Sequence, residues 1–228
     1  MKVSVIIPAY NEEGAIAGVV GAIPAHLVDE AIIVDNGSTD GTAARAEEAG
    51  ARVVTEPRRG YGAACHAGLM AAGDADIVVF LDGDNSDDPA ELSLLLSPIV
   101  DGQADFVIGN RLSGSLEPGA MPLHARLGNW LIARFMSSVY SLRITDIGSF
   151  RAIRKDLLLS LEMEQMTFGW PVEMLVKAAR RKARILEVPV SYRKRIGVSK
   201  VSGTIKGSVL TAYYMLWLPI RYALRASR

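Results

Sequence analysis

The sequence predicts an α/β fold: a mostly parallel sheet flanked by helices, with an amphipathic helix at its C-terminal end. Short runs rich in β-branched residues alternate with segments of helical composition, and three of these runs end in acidic residues or precede them. The chain has 228 residues, of which half are apolar, so it can bury one sizeable core. Disordered, collagen-like and coiled-coil proteins are therefore excluded.

Strands and helices alternate regularly up to Arg111. The predicted strands are Val3–Pro8, Ala31–Asp35, Ala51–Thr55, Asp76–Asp82 and Asp105–Gly109. The predicted helices between them are Glu12–Ala22, Asp40–Ala49, Tyr61–Ala72 and Pro89–Asp101. Asp88 before Pro89 is typical of a helix start, because aspartate accepts hydrogen bonds from the first N–H groups and proline fits the first turn. This order is that of one half of a doubly wound nucleotide-binding sheet.

The pattern becomes less regular after Arg111. A stretch rich in Gly, Pro and Ser leads into a predicted helix over Leu123–Tyr140, and strands are predicted over Gly148–Ile153 and Ile185–Tyr192. Trp130, Trp170 and Met174 lie in helical settings, which is typical of core residues. We expect residues 112–203 to extend the same sheet.

Charge and cysteine content narrow the class of protein. Lys+Arg and Asp+Glu both number 25, but 13 basic residues lie from Lys177 onward, where Glu187 is the only acid. A basic C-terminal region indicates an anionic partner. The single Cys65 and three scattered histidines exclude a disulfide framework and a Cys/His zinc cluster, and they fit a reducing compartment.

Residues 204–228 combine an apolar helical side with cationic flanks. The aromatic residues of this segment, which suit a lipid headgroup boundary, are Tyr213, Tyr214, Trp217 and Tyr222. Each flanking cation is worth about 1 kcal/mol at an anionic leaflet, and Pro219 should kink or end the apolar part. We expect a helix that lies on an anionic membrane surface, with docking on the protein's own core as the alternative.

Polar residues that follow strands are the candidates for chemistry. Asp82 and Asp84 come directly after an apolar run, and two carboxylates this close repel each other unless a cation compensates. The pair therefore predicts a divalent metal site. Asn11-Glu12 and Ser38-Thr39-Asp40 follow the first two strands, where helix capping is an equally good explanation.

A glycine motif suggests a rival function. Gly60-Tyr61-Gly62-Ala63-Ala64-Cys65 approaches the dinucleotide-binding fingerprint, but Cys65 replaces the third Gly or Ala and four residues separate the motif from the preceding strand. Hydride transfer is therefore disfavoured. The sequence contains no GxxxxGKS/T phosphate loop, no HExxH and no GxSxG.

Three motifs together resemble family 2 glycosyltransferases of the GT-A fold. They are Val5-Ile6-Ile7-Pro8-Ala9-Tyr10-Asn11-Glu12, Ile33-Val34-Asp35-Asn36-Gly37-Ser38-Thr39-Asp40-Gly41-Thr42 and Phe80-Leu81-Asp82-Gly83-Asp84. Motifs of the second half resemble the branch that includes the dolichyl-phosphate mannose and glucose synthases; they are Gly109-Asn110-Arg111, Asp146-Ile147-Gly148-Ser149-Phe150-Arg151 and Arg195-Ile196-Gly197-Val198-Ser199-Lys200. The resemblance implies a Rossmann-like GT-A domain over residues 1–203, with a nucleotide-sugar half (1–111) and an acceptor half (112–203), followed by the amphipathic helix 204–228.

The resemblance also implies roles for matching residues. Those that would hold the nucleotide are Pro8, Tyr10 and Glu12 for the nucleoside, Asp35 for the base, and Asp82 and Asp84 for the diphosphate and an Mg²⁺ or Mn²⁺ ion. Arg111 and Arg126 would receive an acceptor phosphate. A mobile loop over the site would carry Arg195, Ser199 and Lys200. The residues on which we expect catalysis to depend are Asp84, Arg111, Asp146 and Glu173.

Two acceptor classes remain open. A saccharide hydroxyl needs a general base, for which Asp146 and Glu173 are the candidates. A polyprenyl or dolichyl phosphate is already ionised at neutral pH and needs none, and Asp146 and Glu173 would then orient arginines or substrate. The basic tail favours the lipid phosphate, with inverting displacement of a hexose from a UDP- or GDP-linked sugar.

Two other function classes are weighed against this one. A sugar-phosphate nucleotidyltransferase would share the acidic metal ligands, but it typically begins with a Gly-rich, basic phosphate loop. A non-catalytic membrane or nucleic-acid module is suggested by the basic tail alone, and Asp82-Gly83-Asp84 argues against it. We expect a peripheral protein on the cytoplasmic face of the membrane, where nucleotide sugars are made, with no nucleic-acid partner and with homo-oligomer formation left open.

Overall fold

The computed structural model describes residues 1–197 and 217–222. Its seven strands are β1 (Val3–Ala9), β2 (Glu30–Asp35), β3 (Arg52–Thr55), β4 (Ile77–Phe80), β5 (Phe106–Asn110), β6 (Arg151–Arg154) and β7 (Ile185–Pro189). Its helices are α1 (Ile16–Gly21), α2 (Thr42–Glu48), α3 (Tyr61–Ala71), α4 (Leu92–Val100), α5 (Leu123–Tyr140), α6 (Lys155–Ser160) and α7 (Trp170–Arg180). A 3-10 turn over Pro89–Glu91 precedes α4, and residues 217–222 are also helical.

All seven strands form one sheet in the order β3-β2-β1-β4-β6-β5-β7. The pairs β1–β2, β1–β4, β2–β3 and β5–β7 are parallel, whereas β6 is antiparallel to both of its neighbours. The carboxyl ends of six strands and the amino end of β6 therefore meet at one edge. The predicted mostly parallel α/β sheet is confirmed.

The predicted boundaries are accurate where the local signal is strong. Helix α5 has the predicted limits, and Asp88 Oδ1 accepts a hydrogen bond from the N–H of Ala90 at 3.2 Å, as the predicted cap requires. The first helix begins at Ile16 rather than Glu12, because Asn11 has φ +53° and a turn follows it. Helices α6 and α7 were not predicted as elements.

Alternate side chains of the strands serve two cores. Ile6 packs with α3, α5 and α7 on one face of the sheet, whereas Val5 and Ile7 pack with α1 and α4 on the other. Trp170 and Met174 are buried in the first core, as expected. The same expectation is wrong for Trp130, which is 42% exposed because it lies on the outer face of α5.

The helical residues 217–222 present two different faces. Leu218 and Tyr222 are buried in the core that contains α5 and α7, whereas Trp217 and Ile220 are 38% and 45% exposed. Tyr222, expected at the headgroup boundary, instead docks on the protein. The rest of the predicted amphipathic helix lies outside the described residues. Within the described ranges, no helix combines the length and apolarity needed to cross a bilayer.

Candidate active site

Several of the predicted site residues come together at the carboxyl edge of the sheet. Tyr10 follows β1, Asp35 ends β2, Asp82 lies just beyond β4, and Arg111 follows β5. Because β6 runs in the opposite direction, Ser149 lies at this edge as well. Ligands of parallel α/β sheets bind at this position.

Tyr10, one of the expected nucleoside residues, lies against an arginine that the sequence motifs did not single out. The Arg59 guanidinium lies 3.6 Å from the centre of the Tyr10 ring, and its Nη1 donates to the carbonyl of Asn36 at 2.7 Å. Asp35 pairs in register with Ala9, next to Tyr10, and its Oδ1 accepts from the N–H of Ser38 at 3.0 Å. Arg59 could have been found only from the fold, since β3 carries it to this edge. Pro8 pairs with Val34 inside the sheet.

Hydrogen bonds between the first two loops hold this region in shape. The N–H of Asn11 donates to Ser38 Oγ at 3.0 Å, and the N–H of Glu12 donates to Thr42 Oγ1 at 2.8 Å. Asn11 Oδ1 accepts in return from the N–H of Thr39 at 2.8 Å. These polar residues therefore fix one loop to the other, in addition to their local turns.

The glycine motif at the start of α3 has a structural explanation. The N–H groups of Gly62 and Ala63 donate to the carbonyls of Thr167 and Met166 at 3.2 and 2.9 Å. A Cβ at Gly60 would lie 2.2 Å from the Met166 oxygen. The motif thus lets another backbone segment close over the helix start, and these two N–H groups serve that segment rather than a phosphate.

The loop after β4 carries four carboxylates: the predicted Asp82 and Asp84, followed by Asp87 and Asp88. Burial and the neighbouring Asp84 raise the pKa of Asp82 above its ordinary value. Asp84 is 5% exposed; its Oδ1 accepts from the N–H of Ser86 at 3.0 Å, and its Oδ2 lies 2.9 Å from Nη1 of Arg195.

Asp87 is the carboxylate that the sequence analysis missed. It is buried, its Oδ2 accepts from Ser149 Oγ at 3.4 Å, and its Oδ1 meets no donor among the described residues. Burial, followed by the charge of Asp82, holds the pKa of Asp87 well above its usual range. Its position three residues after Asp84 was the available signal.

The chemistry of this acidic loop fits a hard divalent ion. Mg²⁺ is commonly held by one or two carboxylates together with substrate phosphates, and oxygen ligands also suit Mn²⁺. Asp82 and Asp84 supply two carboxylates. In the part of the chain that the structure describes, no three His, Cys, Asp or Glu side chains are grouped around a metal position. The remaining ligands would therefore come from a bound diphosphate or water.

Arg111 and Asp146 form a bidentate ion pair. Nε and Nη2 of Arg111 donate to the two carboxylate oxygens at 2.9 and 2.7 Å, and Asn129 Nδ2 and the N–H of Ile147 donate to Oδ1 at 2.5 and 2.7 Å. Burial alone would raise the pKa of Asp146, but Arg111 lowers it below its ordinary value. Asp146 is thus poorly suited to accept a proton and well placed to orient Arg111.

Glu173, the other general-base candidate, is enclosed. It is 0% exposed and accepts hydrogen bonds from the N–H of Gln165 at 2.8 Å and from the Tyr222 hydroxyl at 2.7 Å. Lys177 Nζ lies 2.9 Å from the same carboxylate. Glu173 has no exposed surface for a substrate in this arrangement, which favours a structural role over the predicted catalytic one.

A groove of about 500 Å³ lies beside Arg111 and contains Arg126. Its lining residues are Leu112, Ser113, Leu123, Arg126, Leu127, Trp130 and Thr145. The apolar side chains of α5 in this groove are unusually exposed, with Leu123 at 82% and Leu127 at 58%. Because Asn129 on the same helix bonds Asp146, the groove adjoins the Arg111 ion pair.

The described part of the predicted mobile loop, together with the residues just before it, lies across the acidic loop. The N–H groups of Arg193 and Ile196 donate to the carbonyls of Ser86 and Asp84 at 2.8 and 2.9 Å. A side chain at Gly197 would lie 3.8 Å from Glu12 Oε2. The segment thus joins the β4 loop to the β1 loop. Ser199 and Lys200 lie outside the described residues.

Comparisons with known proteins show which family this chain resembles. Residues 4–161 match the model of the family described as glycosyl transferase family 2. An uncharacterised glycosyltransferase of Mycobacterium tuberculosis is 41% identical over 212 residues, which is 91% of this chain and 93% of the relative. A dolichyl-phosphate hexose transferase of Haloferax volcanii is 35% identical over 211 residues, which is 91% of this chain and 90% of the relative.

A solved structure matches nearly the whole chain. It is glucosyl-3-phosphoglycerate synthase from Mycobacterium tuberculosis in complex with Mn²⁺, UDP-glucose and phosphoglyceric acid, with a TM-score of 0.79 and 26% identity. The match covers 97% of this chain and 79% of that one. The sheet and its flanking helices therefore have the GT-A architecture.

Proposed function

Because the chain belongs to glycosyl transferase family 2, we propose that it is an inverting hexosyltransferase that moves a hexose from a UDP- or GDP-linked sugar to a polyprenyl or dolichyl phosphate. The observation that carries the choice of acceptor is the apolar groove beside the Arg111–Asp146 pair. The Arg126 guanidinium and the apolar walls of this groove suit a molecule with a phosphate head and a hydrocarbon chain.

On the donor side, we assign the nucleoside to the loops that carry Tyr10 and Asp35 and the diphosphate to Asp82 and Asp84. A divalent ion bound there would neutralise charge on the departing diphosphate. The Mn²⁺ and UDP-glucose bound to the solved relative support this assignment. The carboxylates need such compensation, since burial and mutual repulsion act on Asp82.

On the acceptor side, the state of the two general-base candidates favours a phosphate. Asp146 accepts hydrogen bonds from Arg111, Asn129 and a backbone N–H, and Glu173 is fully buried. A saccharide hydroxyl would lack its expected base. A phosphate monoester, whose second pKa is about 6, attacks in its ionised form and needs only to be oriented.

Phosphoglyceric acid is the second candidate acceptor, because the solved relative binds it. Its charge would suit Arg111 and Arg126 equally well. It has no hydrocarbon chain, however, and would leave Leu123, Leu127 and Trp130 exposed to water. The apolar groove therefore favours the lipid phosphate.

We also assign the protein to the cytoplasmic face of a membrane as a peripheral protein. Trp217 and Ile220 are exposed on the last described segment, and Arg221 lies 4.9 Å from the Trp217 ring. An exposed tryptophan next to a cation is typical of residues at a lipid headgroup boundary.

A mass-spectrometric acceptor screen tests the proposal. The purified protein is incubated with Mn²⁺ and a panel of UDP- and GDP-sugars, and with farnesyl phosphate, farnesol or 3-phosphoglycerate as acceptor. We expect a hexosyl product with farnesyl phosphate alone. Product from 3-phosphoglycerate would favour the second candidate, and equal product from farnesol and its phosphate would contradict phosphate recognition.

A further inference from the structure

The ion pair between Arg195 and Asp84 places an arginine on a carboxylate that we assign to the metal. Nη1 of Arg195 lies 2.9 Å from Asp84 Oδ2, while the N–H of Ser86 occupies Oδ1. The Asp84 side chain is 7% exposed and that of Arg195 is 32% exposed, so little water screens the pair on the Asp84 side. A divalent ion that binds Asp84 must compete with this guanidinium.

The backbone next to Arg195 is held in place, which limits what can move. The N–H groups of Arg193 and Ile196 donate to carbonyls of the acidic loop, and the N–H of Lys194 donates to Glu117 Oε2 at 2.7 Å. The backbone therefore need not move for Arg195 to release Asp84. Rotation about the bonds of the long, flexible Arg195 side chain is sufficient.

Tyr192 connects Arg195 to the acceptor side. Nη2 of Arg195 lies 3.5 Å from the Tyr192 hydroxyl, and the Arg111 guanidinium lies 5.1 Å from the centre of the same ring. One aromatic side chain thus contacts both arginines. An anion bound at Arg111 would therefore be separated from Arg195 by a single aromatic side chain.

Electrostatics gives Arg195 a reason to move. Once a divalent ion neutralises Asp84, Arg195 loses its counter-ion and is repelled by the metal charge. A phosphate at Arg111 then becomes its most favourable partner, because guanidinium groups bind phosphate oxygens with short, charge-assisted hydrogen bonds.

Building on the proposed function, we propose that Arg195 has two positions: it holds Asp84 before the divalent ion binds and the acceptor phosphate afterwards. Metal binding at the donor site thereby makes Arg195 available to bind the phosphate at the acceptor site. Because binding linkage is reciprocal, the metal should strengthen acceptor binding by the same factor by which the acceptor strengthens metal binding.

The first test measures the affinity for Mn²⁺ alone by electron paramagnetic resonance, with no nucleotide and no acceptor. Arg195→Gln should bind Mn²⁺ about threefold to tenfold more tightly than the wild type, since the competing ion pair is lost. Arg193→Gln is the matched control: Arg193 belongs to the same segment and carries the same charge, but it pairs with Asp88. Circular dichroism verifies that both variants fold.

Two outcomes of this test overturn competition at Asp84. One is an unchanged Mn²⁺ affinity in Arg195→Gln. The other is an equal gain in both variants, which would reflect net charge. Neither outcome depends on the identity of the acceptor. This test is therefore independent of whether the proposed function is correct.

The second test titrates farnesyl phosphate in the presence and absence of Mn²⁺ and UDP. In the wild type, Mn²⁺ should strengthen the binding of farnesyl phosphate by about the same factor as that expected in the first test. In Arg195→Gln, Mn²⁺ should give no such gain. An affinity that Mn²⁺ leaves unchanged in the wild type overturns the second position of Arg195. If farnesyl phosphate does not bind in either state, the lipid-phosphate function fails with it, while the Mn²⁺ measurement still decides the first position.

Discussion

The Tyr222 hydroxyl donates a hydrogen bond to Glu173 Oε1 at 2.7 Å, and Lys177 Nζ lies 2.9 Å from the same oxygen. Glu173 also accepts from the N–H of Gln165, which lies next to the backbone that closes over Gly60. One buried carboxylate therefore fixes both the C-terminal segment and the backbone that closes over the start of α3. Burial and the Glu173 acceptor raise the pKa of Tyr222, so the phenol stays protonated near neutral pH.

Removing this hydroxyl should destabilise the whole protein. Tyr222→Phe deletes one donor to a buried carboxylate, and we expect the free energy of unfolding to fall by about 1–3 kcal/mol. Urea denaturation followed by circular dichroism measures it. The control is Trp217→Phe in the same segment, whose partly exposed side chain should leave stability within about 0.5 kcal/mol. Equal effects of the two variants would contradict the role of the Tyr222–Glu173 bond.

The two buried aspartates near Arg111 should have opposite effects on the pH dependence of stability. Arg111 lowers the pKa of Asp146 in the folded protein despite its burial. Its contribution to the free energy of unfolding is therefore present above the unfolded pKa of about 4 and is lost as pH falls through the folded pKa. Burial and Asp82 raise the pKa of Asp87 in the folded protein. Its contribution to the free energy of unfolding is therefore present below about pH 4 and is lost as pH rises through the folded pKa.

Asp146→Asn should therefore lose more stability, relative to the wild type, at pH 6 than at pH 3. Asp87→Asn should gain stability, relative to the wild type, over the same rise in pH. Denaturation in the presence of a chelator across this range measures both variants without bound metal. Differences that are flat with pH, or that change in the same direction, would contradict these assignments.

The acidic loop should be essential for transfer. Asp84→Asn removes one of two metal carboxylates, and we expect turnover with saturating Mn²⁺ to fall at least about a hundredfold while the fold is retained. Asp88→Asn is the control, because Asp88 lies in the same loop but pairs with Arg193. Turnover by Asp84→Asn that is undiminished in excess chelator would rule out the metal assignment.

Arg111 should matter for the acceptor more than for the donor. Lysine cannot reproduce the bidentate pair with Asp146, so Arg111→Lys should lower kcat/KM for farnesyl phosphate about tenfold or more and leave the Kd of the nucleotide sugar nearly unchanged. Arg154→Lys, which affects the more exposed pair with Asp156, should change neither quantity. A parallel loss of donor and acceptor binding in Arg111→Lys would place Arg111 elsewhere in the mechanism.

The parts of the fold and the site that the sequence predicts are those with local signals. The runs that become β1, β2 and β4 are apolar, and Asp35 and Asp82 follow from where those runs end. The antiparallel direction of β6 depends on pairing with both β4 and β5, which no local pattern records. The enclosure of Glu173 could not be predicted for the same reason, since its partner Tyr222 is 49 residues away.

Arg126 and Trp130 show what remains unpredicted even where a helix is predicted correctly. A helix over Leu123–Tyr140 is evident from the sequence, but which of its faces is covered depends on how neighbouring elements pack on it. Trp130 was expected in the core, and the structure leaves it at the groove with Arg126. That exposure adds a structural argument for the lipid acceptor, which the basic tail already favoured.

The last prediction separates membrane binding from core packing at the C-terminal segment. Deleting the whole segment would remove Leu218 and Tyr222 from the core, so loss of vesicle binding could reflect unfolding. The double variant Trp217→Ser and Ile220→Ser changes only partly exposed apolar groups. It should weaken sedimentation with anionic vesicles several-fold and leave the unfolding free energy within about 1 kcal/mol.

Leu218→Ala is the matched control, because it truncates a fully buried side chain of the same helical segment. It should lower the unfolding free energy by about 2–5 kcal/mol while the folded fraction binds vesicles as well as the wild type does. Nucleotide binding verifies that the remaining protein is folded. If the double variant sediments with vesicles as well as the wild type, the exposed face of residues 217–222 does not contact the membrane, and the assignment to the membrane surface would then depend on the rest of the predicted helix 204–228 and on the groove of α5.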